Sequence, residues 1–106
     1  MPGRVATFLG MVKVLDFTAA WCGPCKTLKP VLDALAKEYG SRIEVVEIDT
    51  EVDQLAAQQY NVRAMPTIVL IRDGVEVGRT VGARPRAFLQ GMIDRALGGD
   101  VAIASP

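Results

Sequence analysis

The chain contains no histidine, the residue that most often ligates metals and moves protons near neutral pH. Only two of its 106 residues are cysteines. A zinc site is usually built from about four ligands drawn from cysteine, histidine and carboxylates, so two cysteines without histidine do not make a typical one. The sequence therefore argues against a metal site and favours a different use for the two thiols.

The chain also lacks an excess of charge and a long hydrophobic run. Twelve acidic residues balance twelve basic ones, which suggests neither a nucleic-acid-binding surface nor an acidic tail. No apolar run approaches the roughly 20 residues that cross a bilayer. Residues 5–12 faintly resemble a secretory signal, but Lys13 interrupts it and cleavage near 18–20 would cut a predicted strand. We therefore expect an untargeted, cytoplasmic protein.

Apolar periodicity predicts an alternation of strands and helices along the chain. The expected strands are 12–17, 43–48, 67–71 and 75–81, and the expected helices are 22–39, 52–60 and 85–97. Asp73-Gly74 predicts a hairpin turn between the last two strands. This order implies one α/β domain over 1–106, with a mixed central sheet flanked by helices, a short N-terminal segment (1–11) and a flexible tail (99–106).

The long helix and the last helix carry their own boundary signals. Pro24 suits a first helical turn, Pro30 should kink the helix, and Gly40 should end it. The last helix is expected to place one apolar face on the core. That face consists of Phe88, Leu89, Met92, Ile93, Ala96 and Leu97.

Both cysteines lie in the run Trp21-Cys22-Gly23-Pro24-Cys25-Lys26. Cys22 and Cys25 are three positions apart, so on a helix their side chains share a face within disulfide distance. Cys22 falls at the predicted helix start, where unpaired backbone N–H groups and the helix dipole favour a thiolate. We therefore predict Cys22 as the attacking nucleophile. Cys25, expected to be more buried, would resolve the mixed disulfide.

Such a pair could instead bind a metal, staple a loop or remain inert. A lone structural loop of this size would add little stability and would be reduced in the cytosol. A Cys-x-x-Cys pair between a strand and a helix is more typical of thiol redox chemistry. We predict a redox-active pair and keep inert thiols and metal binding as alternatives.

These residues resemble the thioredoxin family. Residues 16–26 (Asp-Phe-Thr-Ala-Ala-Trp-Cys-Gly-Pro-Cys-Lys) match the active-site segment of that family closely. Met65-Pro66-Thr67 is similar to a second signature and Val81-Gly82 to a weaker third one. The resemblance covers residues 12–97. The Gly-Pro spacer favours a reducing thioredoxin over an isomerase, where Gly-His is usual.

The resemblance implies a substrate-binding surface around the cysteine pair. Pro66 would follow a cis peptide bond and lie against the dithiol, and the Met65 backbone would pair with a substrate segment. The alternative is an ordinary trans proline that opens a strand. Trp21 would cover one side, unless it is a core residue, and Gly82 would leave room for a partner backbone. The expected substrate-binding residues are Trp21, Gly23, Pro24, Met65, Pro66 and Gly82.

Asp16 is an acidic residue within an apolar strand. Burial would raise its pKa, whereas strand alternation could instead turn it to solvent. Its position resembles the buried aspartate of the family, which implies a role in moving the proton of Cys25. The predicted strand 43–48 has no lysine of the kind that many relatives place near this aspartate, so we expect Asp16 to be harder still to ionise. Lys26 either stabilises the thiolate through its positive charge or is only a solvated charge on an exposed helix face.

The resemblance implies a protein-disulfide reductase that binds no cofactor. Its redox group would be a reversible Cys22–Cys25 disulfide, recharged from NADPH by a thioredoxin reductase. The implied partners are that reductase and oxidised proteins, with no nucleic acid and no membrane. Two alternatives are a binding or assembly module without turnover, and an electron donor to one dedicated enzyme such as a peroxidase or a methionine sulfoxide reductase.

The segment before the first predicted strand departs from the usual family pattern. Only residues 1–11 precede that strand, so we expect the N-terminal strand and helix of the family to be shortened or absent. The strand 43–48 would then be an exposed edge. We expect a monomer, or a weak dimer through that edge.

Overall fold

The structure is a computed structural model that describes residues 10–98. The expectations for the tail at 99–106, and for most of the segment 1–11, lie outside the described residues. The strands are β1 (Val12–Thr18), β2 (Ile43–Asp49), β3 (Thr67–Arg72) and β4 (Val75–Val81). The helices are α1 (Gly23–Tyr39), α2 (Gln54–Gln59) and α3 (Arg86–Ala96), with a short 3₁₀ turn at Gly40–Arg42. No described helix is long and apolar enough to cross a membrane.

The four strands form one mixed sheet in the order β2-β1-β3-β4. β1 runs parallel to β2 and antiparallel to β3, and β3 forms an antiparallel hairpin with β4. The expectation of a mixed sheet flanked by helices is confirmed. Within the described part of the chain, β2 is an edge strand. β1 lies between β2 and β3. The cysteine run that follows β1 therefore begins at the end of an interior strand.

The two faces of β1 pack against different elements. Val12 and Val14 belong to the larger core cluster, which contains buried residues of α1 and α3. Leu15 and Phe17 belong to a smaller cluster, against which Ala56 of α2 and other partly buried residues pack. Because successive side chains alternate across a strand, Asp16 shares its face with Val12 and Val14 and points toward α1.

α1 begins at Gly23 because the backbone of Cys22 is still extended, with φ −89° and ψ 108°. Its buried stripe is Cys25, Leu28, Leu32, Leu35 and Tyr39. The helix runs unbroken through the exposed Pro30 and ends at Gly40, whose φ of +57° is favourable for glycine. The sequence-based bounds of this helix were therefore close to those observed.

The shorter helices differ from the expectations. α2 spans Gln54–Gln59 rather than 52–60 because the Asp53 side chain caps it, accepting a hydrogen bond from the Ala56 backbone N–H. Leu55 is 78 % exposed and no residue of α2 is fully buried, but the partly buried Ala56 packs on the smaller core cluster. In α3, Phe88 is 44 % exposed, so the prediction that it packs in the core with Leu89 was wrong.

Candidate active site

The two cysteines stand at the N-terminal end of α1, directly beyond the end of β1. They are joined by a disulfide, with their Cα atoms 5.3 Å apart. Cys22 is the N-cap of α1, and the Cys25 backbone N–H donates to Cys22 Sγ over 3.2 Å. In the reduced protein the same N–H and the helix dipole favour negative charge on that sulfur.

Both cysteines are largely enclosed by protein. Cys22 and Cys25 are each 3 % exposed, so the prediction that Cys25 is the more buried of the two was wrong. They form a small cluster with Ala19, and Met65 packs against it. What distinguishes the two sulfurs is their place on the helix. Cys22 precedes the first turn and faces the unpaired N–H groups, whereas Cys25 lies inside that turn.

Asp16 lies in β1, in the interior of the protein. It is 3 % exposed, and its Oδ1 atom has no hydrogen-bond partner among the described residues. Burial, with a smaller contribution from the negative charge of Glu47, raises the pKa of Asp16 from 3.8 to about 6. The alternative that strand alternation turns Asp16 to solvent was therefore wrong.

The cation near Asp16 comes from α1 rather than from the neighbouring strand β2. The register of β1 and β2 places Glu47, an acid, directly beside Asp16. Lys29 Nζ lies 3.7 Å from Glu47 Oε2 and 4.0 Å from Asp33 Oδ1. The positive charge of Lys29 lowers the pKa of Asp16, although burial and Glu47 outweigh it. The available signal was the spacing, because Lys29 follows Cys25 by four positions and shares its helix face.

The loop before β3 lies against the cysteine cluster. The Met65–Pro66 peptide bond is cis, and Pro66 is fully buried. The Gly82 backbone N–H donates to the Pro66 carbonyl over 2.8 Å, which holds the end of β4 beside this loop. Gly82 has a φ of +95°, and a Cβ atom there would meet no atom within 4 Å. Glycine therefore provides both the backbone conformation and an open surface at this point.

The remaining predicted site residues form an exposed rim. Trp21 is 66 % exposed, so the alternative that it is a core tryptophan was wrong. Gly23 and Pro24 are also exposed, at the start of α1. The structure thus places apolar surface on the solvent side of the cysteines. Within residues 10–98 no group of three or more cysteine, aspartate or glutamate side chains is arranged to hold a metal ion.

A mixed sheet with a Cys-x-x-Cys pair capping the helix that follows its central strand defines a thiol–disulfide exchange protein. Comparisons with known proteins agree. The thioredoxin family profile matches residues 10–95. The chain is 40 % identical over 86 residues to thioredoxin of Bacillus subtilis, covering 81 % of this chain and 83 % of that protein. It is 38 % identical over 84 residues to thioredoxin 1 of Synechococcus elongatus, covering 79 % and 78 %.

Solved structures give the same result. Thioredoxin of Fasciola hepatica superposes with a TM-score of 0.79 at 40 % identity, covering 90 % of this chain and 89 % of that one. A thioredoxin of Nicotiana alata gives a TM-score of 0.78 at 38 % identity, covering 88 % and 79 %. The chain belongs to the thioredoxin family.

It follows that the protein is a thiol–disulfide oxidoreductase that reduces disulfides in other proteins. Its redox group is the Cys22–Cys25 pair itself. Thioredoxins in general receive reducing equivalents from NADPH through thioredoxin reductase. Oxidised proteins are accordingly its substrates.

Proposed function

We propose that Cys22 is the nucleophile, Cys25 the resolving thiol and Asp16 the group that moves the proton of Cys25. The observation that carries this assignment is the position of Cys22 as the N-cap of α1, with the Cys25 backbone N–H directed at its sulfur. A thiolate gains most from that position. Asp16, with a pKa raised to about 6 by burial, is close enough to neutrality to exchange a proton near physiological pH.

The reaction then proceeds in two displacements. The Cys22 thiolate attacks a target disulfide, forms a mixed disulfide and releases one target sulfur as a thiolate, which takes a proton from water. The Asp16 carboxylate accepts the proton of Cys25, and the Cys25 thiolate attacks Cys22 Sγ. The Cys22–Cys25 bond forms as the bond from Cys22 to the target breaks. The second target sulfur also leaves as a thiolate and takes a proton from water. The target thus gains two electrons from the cysteine sulfurs and two protons from water, and the Cys25 proton passes to Asp16.

The rim around the cysteines is the proposed docking surface for the target. Trp21, Gly23 and Pro24 offer exposed surface on one side, and Met65, Pro66 and Gly82 lie on the other. The space beside Gly82 leaves room for a main chain to approach the cysteines. We expect extended target segments to bind there by main-chain hydrogen bonds and apolar contacts.

We further propose that a thioredoxin reductase recharges the protein and that it acts in the cytoplasm. A disulfide reductase of this kind works where a reducing pool keeps its dithiol reduced, which supports that compartment. We propose a monomer in solution. Glu44, Glu47 and Asp49 place negative charge along the edge strand β2, and like charges facing each other would oppose an edge-to-edge dimer.

Cysteine variants test the proposed roles. Cys22→Ser should abolish insulin disulfide reduction in the presence of dithiothreitol, because the nucleophile is lost. Cys25→Ser should also lose turnover but should accumulate a mixed disulfide between Cys22 and the target, visible by non-reducing electrophoresis and mass spectrometry. Ser41→Ala, on the exposed turn after α1, is the matched control and should retain full activity.

The same experiment can contradict the proposal. If Cys22→Ser traps the target and Cys25→Ser does not, the two roles are reversed. Full biological activity of Cys22→Ser would instead favour a binding module without turnover. Repeating the assay with NADPH and a thioredoxin reductase tests the proposed source of electrons.

A further inference from the structure

A cavity of about 190 Å³ opens beside Cys25 on the β2 side of α1. Its lining includes Cys25 and the charged residues Lys26, Lys29, Glu47 and Asp49. Charged side chains therefore line a space that reaches the resolving cysteine. A space with this many polar groups can hold water, which can carry protons between a buried group and solvent.

Asp16 depends on this part of the structure for its electrostatic environment. Glu47 is its register partner on β2, and its partner on β3, Ile68, is apolar. The α1 groups whose charge acts on it are Lys29 and Asp33. α3, which contributes to the same core, buries only apolar residues there, namely Leu89, Met92, Ile93 and Ala96. Lys29 is thus the one described cation whose charge stabilises the Asp16 carboxylate, against two acids that oppose it.

Lys29 is held in place by those acids. Its Nζ atom lies between Glu47 Oε2, at 3.7 Å, and Asp33 Oδ1, at 4.0 Å. The side chains of Lys29 and Glu47 are about half exposed, at 55 % and 49 %. An exposed pair of this kind adds little stability. Its position on the wall of the cavity that reaches Cys25 suggests another role.

We propose that Lys29 and Glu47 are positioning residues. They line the water-accessible space beside Cys25 and set, with opposite signs, the proton affinity of Asp16. The Lys29 charge favours the Asp16 carboxylate, the form that accepts the Cys25 proton. The Glu47 charge favours the neutral acid and also holds Lys29 against the cavity. This inference rests on the proposed role of Asp16 in the resolving step.

The proton balance of the step is complete without any other reactant. Asp16 takes the proton of Cys25, the Cys25 thiolate displaces the target sulfur from Cys22, and Asp16 then returns its proton to water. Lys29 and Glu47 gain and lose no proton. They change how readily Asp16 accepts and returns its own.

Neutral substitutions at the two positions should act in opposite directions. With Lys29→Met, we expect the Asp16 titration midpoint to rise by about half a pH unit, because the favourable cation is removed. With Glu47→Gln, we expect it to fall by a similar amount. The double variant should return close to the wild-type midpoint. The midpoint is measured on the reduced protein from the Asp16 carboxyl carbon by NMR.

A second measurement follows the resolving step itself. Stopped-flow reaction of the reduced protein with an aromatic disulfide releases one coloured thiolate when Cys22 attacks and a second when Cys25 resolves. The pH midpoint of the second phase should shift with the Asp16 titration in each variant, whereas the first phase should not. Lys37→Met on α1 and Glu44→Gln on β2 are matched charge controls that should leave both readouts unchanged.

The two readouts separate the possible failures. An unchanged Asp16 titration in both variants would overturn the positioning role of Lys29 and Glu47 and leave the role of Asp16 standing. A shifted titration with an unchanged second phase would overturn the proton-transfer role of Asp16, and this inference with it. Equal shifts in the controls would show a general charge effect and overturn the assignment to these two residues.

Discussion

At the scale of single residues, Asp16 links the chemistry of the site to the stability of the protein. Its carboxyl group is buried, and one of its oxygens has no hydrogen-bond partner in the described structure. Ionising such a group in the interior is unfavourable. The same burial that raises its pKa to about 6 must therefore lower the free energy of unfolding at neutral pH.

Asp16→Asn should stabilise the protein at neutral pH. Because folding raises the pKa from 3.8 to about 6, the folded state binds this proton more tightly than the unfolded state does. The contribution of Asp16 to stability is therefore complete below the unfolded pKa and is lost as the pH rises through the folded one. We expect urea unfolding to show a gain of roughly 1–3 kcal/mol at pH 7.5, and less than half of that gain at pH 4.5.

Glu44→Gln is the control for the loss of one negative charge, because Glu44 is exposed on β2. It should change the free energy of unfolding by less than about 0.5 kcal/mol at either pH. An Asp16→Asn gain that is the same at both pH values would mean that the carboxyl is not destabilised by ionisation.

At the scale of elements, two helices begin at a residue whose side chain caps the first turn. Cys22 and Asp53 are both N-caps whose side chains accept a hydrogen bond from a backbone N–H three residues later. At α1 the cap atom is one of the two sulfurs of the redox-active pair, so this geometry bears on the chemistry of the protein. At α2 it stabilises a six-residue helix that has no fully buried residue and contacts the smaller core cluster through the partly buried Ala56.

Asp53→Ala should therefore lower the free energy of unfolding by about 1 kcal/mol, because it removes the hydrogen bond to the Ala56 backbone N–H. Urea unfolding followed by circular dichroism measures this change. Glu51→Ala, in the preceding turn, should stay within about 0.5 kcal/mol of the wild type. An equal loss in both variants would rule out the cap as the cause.

At the scale of the whole molecule, contacts between distant segments hold α1, the helix that begins at the dithiol, in position. Tyr39, at the end of α1, donates a hydrogen bond of 2.7 Å from its hydroxyl to Asp94 Oδ1 in α3. Burial and this bond raise the pKa of Tyr39 to about 12. The contact ties the active-site helix to the last helix of the described chain.

Tyr39→Phe should lower the free energy of unfolding at pH 7 by roughly 1–2 kcal/mol, since a hydrogen bond to a charged acceptor is lost while the ring stays in place. Tyr60→Phe is the matched control, because the Tyr60 ring packs on Phe17 with centroids 5.7 Å apart and its hydroxyl donates no bond to a described residue. Thermal or urea unfolding should show the difference. A larger loss at Tyr60 would contradict the role given to the Tyr39–Asp94 bond.

Elements that depend on local pattern were predicted well. The strands differ from their expected bounds by no more than one residue, and α1 begins one residue later than expected. The exposure of Phe88 was not predicted. Helical spacing placed it on the inward face of α3, yet spacing alone cannot tell which side of a helix the rest of the chain covers.

The sequence by itself determined the chemistry of this protein. Two sulfurs three positions apart at a helix start need only local geometry to exchange with a disulfide. Only the tertiary structure decided the electrostatic environment of Asp16. Strand register places Glu47 beside Asp16, and helix packing brings Lys29 to Glu47, so the cation comes from α1 rather than from a neighbouring strand. Desolvation and Coulomb interactions depend on distances in space, which the order of residues alone does not contain.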